Sequence, residues 1–429
     1  MLLVETDTAL SQENSNNRVL TMQDAFDLAA KNSAQLKVSE INTDLAHQKL
    51  EIAKLSQLPE ISTGLNYGYL SNSQIWDPSF DKHITKPIPH NETQFSVQAS
   101  EVIFRGGEIT NNLKKAGLEE QIAVLNQEKN MEDIKFLVAA KYLDIYRLIN
   151  QRQVYLDNLE LSQERLKNIL SLQKQGLVTN NDVLRTKLII SDLELAVRKT
   201  DDNIQIVNQE LNTVLGLDLN EKLIPDSSLL TYAPEEEGIE KLMAETFENN
   251  KDLKTASKEV EAAKTNLKLI VADRYPRISL FVSNNLQRPY TYSTPALDVY
   301  YNNWLAGISF SYNISSIYQS PRKRKAAAIQ VEQSLAKETV QKQNVQLVVN
   351  ADLIKFNEAR YELATFTEDV RSADENYRIV EKKYYNQLAL LTDLIDATNT
   401  KIEAELKVSN ARINLVFTHY QLQKSIGLL

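Results

Sequence analysis

The chain carries two copies of one long structural unit. Leu58-Pro59-Glu60-Ile61-Ser62 recurs as Tyr275-Pro276-Arg277-Ile278-Ser279, and Leu215-Gly216-Leu217 recurs as Ile426-Gly427-Leu428. Between these landmarks, Gly176-Leu177 followed by Asp182-Val183-Leu184 returns as Gln387-Leu388 followed by Asp393-Leu394-Ile395. Each copy holds a pair of strand-like segments between long helical runs. Repetition of a whole module marks an architecture in which one unit cannot bury its own faces. The copies are expected at 21–217 and 238–429, with a polar tail over 1–20 and a linker over 218–237.

Glycine and proline are absent from Leu118 to Gln175 and again from Arg322 to Ile426. A helix from about 107 to 175 would be roughly 100 Å long, far beyond a globular helix, and only packing along its length would hold it. The heptads are present: Leu363, Phe366, Val370, Ala373, Tyr377, Val380 and Tyr384 step alternately by three and four, as do Tyr155, Leu159, Ser162, Leu166 and Ile169. Each copy is therefore predicted to end in a long antiparallel helical hairpin, with tips near 176–182 and 387–396. A further helix opens at Thr21, marked by Met22, Phe26, Ala29 and Leu36, and runs to about Gln57 before Pro59.

The period then changes to two. Ile61, Thr63, Leu65, Tyr67 and Tyr69 alternate with Ser62, Gly64, Asn66 and Gly68, and Phe95, Val97 and Ala99 alternate with Ser96, Gln98 and Ser100. The second copy repeats the pattern, with Ile278, Leu280 and Val282 and then Trp304, Ala306, Ile308, Phe310 and Tyr312 on the apolar side. Phe281 and Leu305 interrupt its small polar side. Two hairpins are predicted, over 61–104 and 278–314, giving four strands of transmembrane-barrel length. Tyr67, Tyr69, Tyr300, Tyr301 and Trp304 gather at one end, where paired hairpins would set them as an aromatic girdle at a membrane interface. The plainer alternative is the general preference of tyrosine for strands.

The formal net charge of −9 argues against nucleic-acid binding. Cysteine is absent, which removes disulfides, thiolate metal sites and cysteine nucleophiles. His47, His83, His90 and His419 are scattered, and no zinc-protease, nucleophile-elbow or phosphate-loop motif occurs. The expectation is no enzyme, no catalytic residues, no cofactor and no resident metal. No stretch has the length and apolarity of a transmembrane helix. Met1-Leu2-Leu3-Val4 runs straight into Glu5, so no complete export signal is read at the start.

A four-stranded sheet with one face in lipid would leave the backbone groups of its two edges unpaired in hydrocarbon. Barrels begin at about eight strands, so closure takes several chains, and physics alone admits two or three. Lumen-facing residues as small as Ser62, Gly64, Gly68, Ser96, Gly307 and Ser309 would leave the interior open as a conduit.

The duplicated order resembles the TolC family of bacterial outer-membrane efflux proteins from about Val19 to Leu429. The most specific segments are Gln175-Gly176-Leu177-Val178-Thr179 with Asp182-Val183, and Leu390-Leu391-Thr392-Asp393-Leu394-Ile395-Asp396-Ala397-Thr398. The resemblance implies a mainly α fold whose duplicated hairpins form an α-helical barrel, and a homotrimer sharing a twelve-stranded transmembrane β-barrel. It places the barrel in the outer membrane of a Gram-negative bacterium and the helices in the periplasm. The implied function is export of small molecules as the outer component of a tripartite pump, with a periplasmic adaptor and an inner-membrane pump as partners. A conduit for type I protein secretion and, in another class, a soluble coiled-coil scaffold are the alternatives.

The resemblance also assigns roles to the tips. Asp393 and Asp396 match paired entrance carboxylates, which under threefold symmetry would form cation-selective rings able to take divalent ions. Acids favoured by the helix dipole are the alternative. Tyr384 matches a gate tyrosine, although it also ends the heptad seam, and Asp182 matches an acid that latches to the neighbouring hairpin. Ala389 stands where a latch arginine is expected, so Arg185 is the candidate for a different ion pair. Gly176, Leu177, Val178, Leu388, Leu390 and Leu391 are assigned to adaptor contact, with tucking between helices as the alternative. Arg322-Lys323-Arg324-Lys325 is expected either at anionic outer-membrane lipid or as a solvated helix start.

Overall fold

The computed structural model describes residues 17–226, 238–293 and 295–429. Of the expected tail, residues 1–16 lie outside the described residues, as do residues 227–237 of the expected linker. The first copy runs α1 (Met22–Asn32), α2 (Ala34–Leu55), β2 (Glu60–Tyr69), β5 (Asn91–Phe104), α3 (Glu108–Lys174) and α4 (Asn180–Leu215). The second runs α5 (Ile239–Asn249), α6 (Lys251–Ala272), β7 (Arg277–Arg288), β8 (Tyr301–Ser311), α7 (Ser316–Tyr385) and α8 (Leu391–Ile426). Matching helices have 11, 22 and 36 residues in both copies, and only the longest differ, at 67 and 70. Four further short strands are β1 (Asn17–Leu20), β3 (Ser73–Trp76), β4 (His83–Lys86) and β6 (Lys222–Pro225).

The single leading helix expected from Thr21 to Gln57 is broken. Ser33 leaves the helix at φ −63°, ψ 120°, and Asn250 does the same in the second copy at φ −62°, ψ 121°. The polar tail also ends sooner than expected, because residues 17–20 form β1, which pairs in parallel with β6. The loop between the first two membrane-length strands is a hairpin of its own, β3 against β4, with Trp76 on His83 at 4.6 Å.

The chain divides into two compact units. One comprises the described residues up to Ile41, Leu125–Lys254 and Val340–Leu429. Its main core joins Met22, Ala25, Phe26 and Ala29 of α1 to Ile134, Val138, Tyr142 and Ile145 of α3, with Leu211 and Leu215 of α4 and Ile413 and Val416 of α8. Thr21 starts α1 through a reciprocal cap in which its hydroxyl accepts from the Asp24 amide at 3.1 Å while its own amide donates to the Asp24 carboxylate at 3.3 Å. The buried Tyr142 hydroxyl donates to the Leu20 carbonyl at 2.8 Å and accepts from the Asp226 amide at 2.7 Å, tying β1 and the end of β6 to α3. Burial pushes its pKa up to about 12. Gly216 and Gly427 end α4 and α8 in the left-handed conformation, and a Cβ on either would lie within 2.8 Å of Asn32 or Asn249 respectively. A second core holds Leu242, Leu253, Val345, Val349, Phe356, Leu422 and Ile426.

The other unit comprises Asn42–Val124 and Thr255–Thr339. It contains one antiparallel sheet in the order β2-β5-β7-β8, with β2 and β8 as its edges. Its register sets Thr63, Val97, Asn284 and Trp304 in one row and Ile61, Ala99, Val282 and Ala306 in another. Because paired residues share a face, the apolar alternation of all four strands falls on one side. That side is uncovered within the chain: Ile61 is 73% exposed and Ile308 is 70% exposed. Phe281, which interrupts the polar alternation, stands opposite Gly307, where a Cβ would come within 3.1 Å of its ring.

The aromatic residues do not form a single row. Tyr67, Thr93 and Arg288 align, with Tyr300 against Arg288 at 5.4 Å. Tyr69 lies two residues further out and stacks on His90 at 4.9 Å. Trp304 is level with Thr63, four residues or about 13 Å from the Tyr67 row. Tyr301 pairs with Gln287 in the row next to that of Tyr67 and lies on the polar face, since adjacent residues of a strand point to opposite faces.

Among the buried acids, Asp352 accepts from Gln421 at 2.6 Å, and its pKa is raised, first by desolvation. Its proton is held more tightly folded than unfolded, so stability should fall as pH rises from the ordinary aspartate range through the raised native value. Asp352→Asn keeps an acceptor for Gln421 and is expected to remove that slope, leaving the variant at least as stable as the parent at neutral pH. Denaturant melts between pH 3.5 and 7.5 would show it; an unchanged slope would clear Asp352 as its source.

Candidate functional site at the hairpin tips

The two tips close with the same backbone bonds. In the first, the Gly176 amide donates to Gln173 at 2.9 Å and the Leu177 amide to Leu172 at 3.0 Å. In the second, Gln387 donates to Tyr384 at 2.9 Å and Leu388 to Lys383 at 2.8 Å. The residue that reverses the chain has φ +78° at Gly176 and φ +61° at Gln387. Glycine meets this conformation freely, whereas a side chain there costs about 1–2 kcal/mol.

Each following helix is started by a carboxylate. The Thr179 amide and hydroxyl both donate to Asp182, at 2.8 and 2.9 Å, and the Leu390 amide donates to Asp393 at 2.9 Å. Asp182 and Asp393 are thus equivalent capping acids in the two copies. Asp393 and Asp396 are exposed and lie three apart on one helix face. Asp396 is in no ion pair among the described residues, and neither is Arg185, which is exposed on α4.

Between the tips lies a shared core of Ile169, Val183, Tyr377, Tyr384, Leu391 and Leu394, with Val178 and Ala389 packed against it. The apolar residues assigned to adaptor contact therefore separate into two groups. Leu388 is 77% exposed and Leu390 70%, with Leu177 also open to solvent, whereas Leu391 is only 5% exposed and belongs to the core. Leu391 is corrected from a surface contact to a buried one because it opens α8 on the face that meets Tyr384 and Ile169. A Cβ on Gly176 would touch nothing.

A polar group that the heptad reading missed is buried in the same region. Arg165 of α3 is 2% exposed, and its Nη2 donates to the Tyr377 hydroxyl of α7 at 3.2 Å, which in turn donates to Glu381 at 2.5 Å. Burial and then the Glu381 acceptor push the Tyr377 hydroxyl up to about 12. Lys401 of α8 lies over the same ring at 4.9 Å. Arg165 Nε and Nη1, the Ser162 hydroxyl and the Tyr384 hydroxyl have no partner among the described residues. The Tyr384 pKa is raised by burial first and by the Asp182 charge next, but no hydrogen bond joins Tyr384 to Asp182. The only hint in the sequence was Arg165 standing one residue before the seam position Leu166.

The contrast between Gly176 and Gln387 gives a direct test. Gln387→Gly should stabilise the second tip by about 1 kcal/mol, read as slower hydrogen exchange across the α7–α8 turn with no change at the first. Faster exchange would mean that the Gln387 side chain holds the turn.

Residues 25–217 and 242–428 match the family described as outer membrane efflux protein, so both copies are covered. The chain is 20% identical to outer membrane protein TolC of Escherichia coli K12, over 98% of this chain and 85% of that one. The solved structure of the outer membrane protein VceC from Vibrio cholerae superposes with a TM-score of 0.80 at 13% identity, covering 95% of this chain and 96% of that one. The Campylobacter jejuni CmeC outer membrane channel gives 0.79 at 14% identity, covering 100% and 93%. The fold is that of these proteins, mainly helical with a small transmembrane β part. With a family match over both copies, the chain belongs to the outer membrane efflux protein family, a family of channels and not of enzymes, and its place is the outer membrane of a Gram-negative bacterium.

Proposed function

We propose that this chain is one protomer of a trimeric channel that passes small molecules from the periplasm to the exterior, as the outer component of a tripartite efflux pump. The observation that carries the reading is the four-stranded antiparallel sheet with one apolar face and two open edges. Edges left in hydrocarbon cost several kcal/mol per unpaired group, and only closure with further copies removes them. Three copies supply twelve strands, in keeping with the family resemblance. Small residues on the polar face, including Ser62, Gly64, Ser96 and Ser309, keep the lumen of such a barrel open.

The tips suit a gate and a docking surface. Asp396, whose carboxylate is in no ion pair among the described residues, supplies the entrance charge, and Asp393 adds to it while capping α8. Tyr384 holds the packed state together with Arg165, whose unfilled donors leave that packing less than fully satisfied, while Asp182 caps α4 and bears a charge beside the Tyr384 hydroxyl. Arg185, on an exposed face, is available to a neighbouring protomer. Leu177, Leu388 and Leu390, with Gly176 leaving the turn uncovered, offer the adaptor an apolar edge; Val178 supports it from beneath.

Extracted in detergent and reconstituted in planar bilayers, the protein should run as three chains and conduct with a preference for cations. Asp396→Asn should lower that preference while leaving the α8 cap intact. A monomer without conductance would overturn the channel, whereas unchanged selectivity would remove only the entrance ring. Leu388→Asp should weaken capture of a periplasmic adaptor at least tenfold without altering the native mass. Undiminished capture would place the docking surface elsewhere.

A further inference from the structure

Where β7 begins and β8 ends, the sheet-bearing unit holds a half-open cavity of about 320 Å³. The volume falls near the lower end of the range of small-ligand sites, roughly 300–1,000 Å³. Its walls are polar and bear Arg105, Arg277, Lys323, Asn313, Ser316 and Ser320. Two carboxylates also face it, and each is already engaged: Glu108 by Arg105 at 2.5 Å and Asp273 by Lys323 at 3.7 Å. Arg277 has no carboxylate partner among the described residues; its Nε donates to the Ser279 hydroxyl at 3.3 Å. The cavity therefore carries one cation in excess.

Two features point to a bound group. Ser316 is 6% exposed and Ser320 1%, yet neither hydroxyl has a hydrogen-bond partner among the described residues. Buried hydroxyls are almost always satisfied, and a pair of orphans on one cavity wall calls for an occupant with oxygen acceptors. Ser316 is also the first residue of α7, so the positive end of a 70-residue helix opens at the same wall. The start is pinned by Asn313, whose carbonyl accepts from the Ser316 amide at 2.9 Å and whose side chain accepts from the Ser315 amide at 3.1 Å.

We propose that this cavity binds a phosphate ester group, with Arg277 and the hydroxyls of Ser316 and Ser320 as its ligands. A phosphate presents several acceptor oxygens, which can take the parallel N–H donors of a planar guanidinium and two hydroxyl donors at once. If β7 and β8 span the membrane, as in the function proposed above, the cavity lies at the depth of lipid headgroups. The bound group is then a phospholipid phosphate or free phosphate drawn from solution, two sources with one chemistry. Lys323, paired with Asp273, is the member of the exposed basic run at 322–325 that lines the cavity.

The test uses the full chain in a non-ionic detergent free of phosphate, with native mass spectrometry after addition of phosphatidylglycerol and, separately, phosphorus NMR titration with inorganic phosphate. One phosphatidylglycerol per chain should be retained by the parent protein. Arg277→Gln should weaken retention at least tenfold and Ser320→Ala several-fold, while glutamine at Arg322, Arg324 and Lys325 should leave it unchanged. Saturable, Arg277-dependent binding of inorganic phosphate without lipid retention would support the site with a soluble source. Equal binding by the parent, Arg277→Gln and Ser320→Ala proteins would overturn it, as would loss confined to the variant of the basic run. Thermal melts check that each variant is folded, and Ser320→Ala carries the test if Arg277→Gln is not. Bilayer conductance of the same samples separates the two readings. A conducting Arg277→Gln channel that binds phosphatidylglycerol normally refutes the site alone, and a non-conducting parent that binds phosphate through Arg277 refutes the channel alone.

Discussion

Backbone hydrogen bonding at the edges of one small sheet governs what this chain can be. Strands β2 and β8 present unpaired amides and carbonyls beside a face bearing Ile61, Leu65, Ile308 and Phe310. In water such an edge invites aggregation, and in hydrocarbon it is forbidden unless closed. No rearrangement within the chain removes it, since all four membrane-length strands are already in the sheet. In the channel proposed above, closure with further copies is what satisfies these edges.

The helical hairpins follow a different logic. Their cores are narrow and partly polar, and Arg165, Ser162 and Tyr384 remain incompletely bonded where the two tips meet. A buried guanidinium without a carboxylate in contact is a poor source of stability. The tips thus combine firm local devices, such as the carboxylate caps at Asp182 and Asp393, with a contact between hairpins that is not at its optimum. Such a contact suits the gate proposed for the tips.

Much of the fold was legible because duplication and period survive in the residues. The alternation from Ile61 to Tyr69 and from Trp304 to Phe310 revealed both faces of the sheet, and the glycine-free runs revealed the long helices. What escaped depended on partners distant in sequence. The break at Ser33 has no glycine or proline to announce it, and its counterpart at Asn250 has a different side chain. Phe281 looked like a flaw until Gly307 appeared opposite it. Tyr301 was grouped with Tyr300 by composition, although neighbours in a strand cannot share a face. At the candidate site, the capping acids and exposed leucines were visible as motifs. The burial of Leu391 and Arg165 was not, because it is created by the other hairpin.

The shared core at the tips turns hairpin length into a jointly inherited quantity. Ile169 and Val183 come from one hairpin, and Tyr377, Tyr384, Leu391 and Leu394 from the other, yet they form one cluster. Shortening one hairpin alone would strand the apolar residues of its companion in water and shift a heptad seam against an unshifted one. Changes matched between the two hairpins best preserve the contact. The equal 36-residue returns of α4 and α8 are the visible result. A channel of different reach is therefore most readily obtained when both hairpins change together, as recombination between its own halves would allow.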